Sequence, residues 1–239
     1  MRSLYREPEH APEARRIEWP ALEFHDVFKI FRAGGAETVA LRGLDLRVEP
    51  RELVALLGPS GSGKSTALHL AAALDEPSAG DVRVFGSSLS RLSEQELADH
   101  RARRIAIVFQ SGNLWSELSA RENVLLGLRL AGRRGRLRDA VERALDAFDL
   151  QRRESQRAGT LSGGEQQRVA IAAAAAREAP LVLADEPTAE LDARSEQAVL
   201  RALRRLREEF ASTVVVVTHS ARVAESADRV IEIRDGAAV

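Results

Sequence analysis

The chain has 239 residues, 44% of them apolar and 30% charged, enough apolar material for a sizeable core. Its 35 basic and 36 acidic side chains leave a net charge of -1, which argues against a non-specific nucleic-acid binder. Cysteine is absent, which excludes disulfides, thiolate zinc sites and cysteine nucleophiles, and no apolar run approaches the ~18 residues a bilayer requires. Residues 1–20 are polar and proline-rich and read as a flexible leader, with order expected from about Ile17 or Leu22. The leader lacks the apolar stretch of a secretory signal, so the expected compartment is the cytoplasm. Leu22 to Phe31 reads as a strand, Ala33-Gly34-Gly35 as a turn, and Val39 to Val48 alternates like a half-buried strand. Leu53 to Leu57 (LVALL) is a strand buried on both faces; a glycine-rich loop and a helix from Ser65 to Leu74 follow. Asp81 to Phe85 and Ile105 to Phe109 are short strands, flanking a helix over Ser93 to Arg103 opened by Ser93 and Glu96 in capping-box spacing. From Ser111 to about Arg157 the apolar residues recur at helical spacing, which predicts an all-helical insertion. The alanine run Ala172 to Ala176 suits a packed helix. Then come a strand over Leu181 to Ala184, a helix over Ala193 to Phe210, a strand over Thr213 to Val217, and a hairpin over Arg229 to Val239 turning at Asp235-Gly236. Strands alternating with helices predict an α/β fold with a mainly parallel sheet.

Gly58-Pro59-Ser60-Gly61-Ser62-Gly63-Lys64-Ser65-Thr66 fits the phosphate-loop pattern, and it sits after a buried strand and before a helix. Small residues let the backbone wrap a phosphate with its N–H groups inward, and the helix adds the positive end of its dipole. Lys64, one of only two lysines beside Lys29, offers a point charge to the β and γ phosphates, and Ser65 a hydroxyl to Mg²⁺. A plain glycine-rich turn would explain the glycines but not their strand and helix context. Leu181 to Glu186 is an apolar strand ending in two acids: Asp185 is placed to hold Mg²⁺ and Glu186 to polarise an attacking water.

Leu161-Ser162-Gly163-Gly164-Glu165-Gln166-Gln167-Arg168 is the most specific string in the chain. It resembles the signature of the ATP-binding-cassette ATPases. Physically it is a second anion site: a serine and two glycines opening a helix with free N–H groups. The resemblance covers about Leu22 to Val239, from residue 21 on a single ATPase domain. It implies a P-loop NTPase-type, mainly parallel sheet with an antiparallel β subdomain and a helical subdomain at about 111–160. It implies that the signature caps the γ-phosphate of ATP held by a second subunit, head to tail, so that two ATP are buried between two cassettes. By position, Gln110 matches the glutamine that meets Mg²⁺ and water, His219 the switch histidine at the γ-phosphate, and Asp192 the loop that crosses the dimer interface. An aromatic normally stacks on adenine; Phe31 falls at that spacing, Phe28 is the alternative, and core packing is an alternative for both.

Leu68-His69-Leu70 to Leu74-Asp75 and Ala184-Asp185-Glu186-Pro187-Thr188 resemble the lipoprotein-release and macrolide-export branch. The chain departs from it at Ala189-Glu190, where Gly-Asn is usual, at Ala173 and Ala175 after the signature, and at Arg51 before Glu52. The implied partners are a second such ATPase, a homodimer being allowed, and a separate transmembrane permease, with no nucleic acid. The implied location is the cytoplasmic face of the cell membrane. A soluble cassette ATPase acting in a nucleic-acid or assembly process is the alternative. Leu114 and Trp115 are candidate docking residues, with core packing the competing reading. Arg129, Arg133, Arg134, Arg136 and Arg138 read as a solvated helix end or as a surface for anionic headgroups or a permease.

Overall fold

The computed structural model describes residues 19–34 and 36–239. Nearly all of the expected leader, and Gly35 of the expected turn, lie outside them. In chain order the elements are β1 (Leu22–Ala33), β2 (Ala36–Val48), β3 (Leu53–Leu57), α1 (Lys64–Ala71), β4 (Ala79–Val84), β5 (Ser87–Ser88), α2 (Glu94–Arg104), β6 (Ile105–Val108), α3 (Ala120–Leu130), α4 (Leu137–Ala147), α5 (Gly163–Ala176), β7 (Leu181–Asp185), α6 (Ala193–Phe210), β8 (Thr213–Thr218), α7 (Ala221–Ala224), β9 (Arg229–Arg234) and β10 (Ala237–Ala238).

Two sheets organise them: an antiparallel one in the order β2-β1-β4-β5, and a six-stranded one in the order β10-β9-β3-β8-β7-β6. In the second, β9, β3, β8, β7 and β6 are parallel and only β10 runs back. The continuous apolar runs of its central strands have a direct cause: successive side chains enter opposite cores. In β7, Val182 and Ala184 join the core under the helical subdomain, while Leu181 and Leu183 join the core shared with the antiparallel sheet. In β8, Val214 and Val216 alternate with Val215 and Val217 in the same way. Neither face meets water, so polar alternation would be costly.

The helical insertion is α3 and α4, and its one bridge of strand type joins Ser119 to Arg157. Helix α5 packs against α3, α4 and α6. Of its alanine run, Ala172, Ala174, Ala175 and Ala176 are buried, and small side chains allow that close approach. Ser93 opens α2 in a realised capping box with Glu96. Helix α1 ends at Ala71, short of Leu74. Ala73 turns left-handed (φ 53°) and the N–H groups of Ala73 and Leu74 return to the carbonyls of Leu70 and His69, a Schellman cap formed without glycine. Leu114 packs partly buried against the core, whereas Trp115 is 65% exposed. The five arginines from Arg129 to Arg138 are all exposed, and Arg133 pairs with Glu178.

Candidate active site

The loop of residues 58–66 leaves β3 and enters α1 at the carboxyl end of the parallel strands, the edge where open α/β sheets bind ligands. Gly63 shows why its composition is required. Its φ is 99°, and a Cβ there would lie 2.4 Å from the carbonyl oxygen of Ala40 in β2. The loop is held from the other side by the C-terminal hairpin, where the Gly236 N–H donates to the Ser62 carbonyl at 3.1 Å. Lys64 is buried, and its ammonium donates to the carbonyls of Gly58 (2.8 Å) and Pro59 (2.7 Å), while Pro59, Ser60, Gly61 and Ser65 are exposed. Burial pushes the Lys64 ammonium down, against the opposite pull of Glu186 and Asp185.

Strands β7 and β8 deliver the acids and the histidine beside this loop. The Ser65 hydroxyl donates to Asp185 Oδ1 at 3.1 Å. Burial pushes the Asp185 carboxyl up, outweighing the Ser65 hydrogen bond. A hydroxyl and a carboxylate are hard oxygen donors of the kind Mg²⁺ takes, and a carboxylate short of counter-charge fits a cation. Glu186 takes a left-handed backbone conformation (φ 44°) fixed by its N–H to the Val217 carbonyl at 3.0 Å. Its Oε1 shares a 2.8 Å hydrogen bond with His219 Nδ1, and the histidine side chain is 67% exposed. Lys64, Ser65, Asp185, Glu186 and His219 are thus brought together. Gln110 follows β6, the neighbour of β7, and its side chain reaches Glu190 at 3.4 Å.

The signature forms a second, separate cluster. Ser162 caps α5: its hydroxyl and N–H both donate to Glu165 Oε2, at 2.8 Å and 2.9 Å. A Cβ on Gly163 would lie 3.2 Å from Leu191 Cδ2, and one on Gly164 2.7 Å from Ser195 Cβ at the start of α6. Asp192 caps α6, accepting from the N–H groups of Arg194 and Ser195 at 2.9 Å each. Ser162 and Asp192 line a cleft of about 510 Å³ that includes no residue of the phosphate loop. Phe31 lies on β1, paired with Thr38 two residues before Ala40, 44% exposed with Lys29 Nζ 5.0 Å from its ring centroid. Phe28 lies partly buried against Gly43.

The sequence reading missed Gln167. It is 5% exposed, and its Nε2 donates to the carbonyls of Phe109 (3.0 Å) and Gln110 (2.5 Å), tying the signature helix to the loop after β6. Its spacing, three residues after Gly164 and four before Ile171, puts it on the buried stripe of α5, and that was the available signal.

A phosphate loop, paired acids and a histidine converging on one sheet edge define a P-loop ATPase. A family model described as "ABC transporter" matches residues 41–189. A macrolide export ATP-binding/permease protein of Chlorobaculum tepidum is 41% identical over 91% of this chain. The chain spans about a third (33%) of that relative's length. An uncharacterized ABC transporter ATP-binding protein of Thermotoga maritima is 43% identical, over 90% of this chain and 92% of its own. A dimeric ATP-binding cassette in a post-hydrolysis state bound to ADP and Pi superposes with a TM-score of 0.82 at 37% identity, over 91% of this chain and 96% of that one. The chain belongs to the ABC transporter family. It is an ATPase cassette that binds and hydrolyses ATP. No helix among the described residues is long and apolar enough to cross a membrane.

Proposed function

We propose that the chain is the motor of an export or lipoprotein-release system, driving a permease carried on other subunits from the cytoplasmic face of the membrane. Two copies close head to tail on two ATP. The observation that carries this reading is the separation of Ser162 and Asp192 from the phosphate loop: the second anion site opens into a cleft the chain's own loop does not line. Support comes from relatives whose names join a macrolide-export ATPase to a permease, and from a structural neighbour described as dimeric.

In this reading residues 58–66 bind the β and γ phosphates of one ATP, with Lys64 supplying the point charge. Ser162, Gly163 and Gly164 of the second subunit approach the same γ-phosphate. Phe31 stacks on adenine and, lacking a hydroxyl, reads the base by its face alone. Ser65 and Asp185, joined by Gln110, would hold Mg²⁺, which when bound neutralises developing phosphate charge. Glu186 orients and polarises the attacking water, and His219, hydrogen-bonded to it, contacts the γ-phosphate. Loss of that phosphate removes the cross-subunit contact and the pair opens. The loop after Gln110, with exposed Trp115, is the surface offered to the permease.

Glu186→Gln keeps the shape and a hydrogen-bonding partner for His219 while removing the base. It should lower turnover by roughly 10²–10⁴-fold and trap a dimer in ATP and Mg²⁺ on gel filtration. A monomer at saturating ATP would overturn the two-subunit scheme.

A further inference from the structure

We infer that Arg153 is a positioning residue that keeps the signature helix receptive to phosphate by cancelling the charge of Glu165. The inference rests on the cross-subunit reading of the signature proposed above.

The capping box that starts α5 creates an electrostatic conflict. It places a carboxylate at the helix end that must receive an anion, and it occupies the Ser162 N–H and hydroxyl with that carboxylate. A like charge at that point would repel an incoming phosphate. The carboxyl is held below the usual range: burial pushes it up, but the N–H and hydroxyl of Ser162 and the Arg153 guanidinium outweigh that. The negative charge is therefore present at neutral pH.

Arg153 meets it from the 3₁₀ turn Gln151–Arg153, the first of two such turns between α4 and α5. Its Nε donates to Glu165 Oε1 at 2.7 Å, on the oxygen that Ser162 leaves free. The Glu165 side chain is 18% exposed and the Arg153 side chain 45%, so solvent screens the pair mainly from the arginine side.

The fold contains its own controls. The capping boxes of α2 (Ser93 and Glu96) and α3 (Ser119 and Glu122) have the same serine-to-glutamate geometry. Neither of those glutamates has an arginine within ion-pair distance among the described residues. Capping alone does not call for a guanidinium in contact, although Arg157 acts on Glu122 from a longer distance. The one box proposed to face a phosphate has one.

The test uses the full chain in the Glu186→Gln background, with ATP-dependent dimerisation followed by analytical ultracentrifugation. Arg153→Ala should weaken the dimer on the order of tenfold, the scale of a charge effect at a partly buried helix terminus. Binding of a fluorescent ATP analogue to the monomer should be unchanged. Arg153→Lys, which keeps the charge and guards against a folding defect, should stay within about twofold of the reference, the range of a minor surface change. When Glu165→Gln is already present, Arg153→Ala should lose its effect, because no charge remains to cancel. An unchanged dimer constant in Arg153→Ala, or equal weakening with and without Glu165→Gln, would overturn the inference. Absence of any ATP-dependent dimer in the reference protein would instead overturn the two-subunit reading beneath it.

Discussion

Replacing Gln167 by glutamate probes the link between the signature helix and the loop after β6. The side chain is buried, and its amide N–H groups serve the carbonyls of Phe109 (3.0 Å) and Gln110 (2.5 Å), while Oε1 accepts from Asn113 at 3.3 Å. Glutamate keeps this shape but has no amide hydrogens. If ionised it faces two carbonyl oxygens; if protonated it can serve one of them. The Phe109 carbonyl keeps the Asn113 amide as a donor at 2.7 Å, and both carbonyls belong to exposed residues, so the loss is that of two hydrogen bonds at about 1 kcal/mol net each, about 2 kcal/mol in all. For a chain of this size that corresponds to a fall in Tm of about 4–8 °C. Urea titration measures the stability, and steady-state kinetics the consequence at the site. Turnover should drop by at least about tenfold, the cost of misplacing a group at the reacting centre, with nucleotide affinity of the monomer unchanged. Wild-type Tm and turnover in Gln167→Glu would refute the reasoning, since packing is preserved and only the donors are lost.

Ser162→Arg should abolish turnover while leaving ATP affinity of the monomer intact, and measurable turnover would remove the signature from the reaction. Stability should fall in acid through the capping boxes. The Ser93 hydroxyl and N–H hold Glu96 low, and the Ser119 N–H and hydroxyl hold Glu122 low. At Glu165 burial works upward and is outweighed by Ser162 and Arg153. Folded values below the unfolded ones mean a contribution complete above the unfolded glutamate value and lost as pH falls through the folded values. Thermal melts between about pH 3 and pH 6 should show this loss, and Glu96→Gln combined with Glu122→Gln should flatten it; an unaltered slope would count against the caps as its source.

The order of strands and helices was legible in the sequence because it is written in local signals. LVALL and TVVVV have no polar interruptions, since both faces of β3 and β8 are covered. Ser93 and Glu96 announce their helix by the spacing of the cap they form. The end of α1 was not legible. The residue that terminates it is Ala73, which no glycine signal marks.

For the site, the sequence by itself determined which groups are available: a loop small enough to wrap phosphate, two acids after a buried strand, a histidine after another and a serine opening a glycine-rich helix. Those chemistries depend on residue type and short spacing, which the chain carries explicitly. Only the tertiary structure decided which groups meet. Lys64, Asp185 and His219 lie far apart in sequence and come together because β3, β8 and β7 are neighbours in one parallel sheet. Arg153 reads as one more arginine of a charged segment, and Gln167 as a member of the signature with no partner assigned, until packing sets one against Glu165 and the other against the Phe109 and Gln110 carbonyls. Hydrogen bonds and charge cancellation are short-ranged, so their partners are fixed by where the folded elements lie and not by position along the chain.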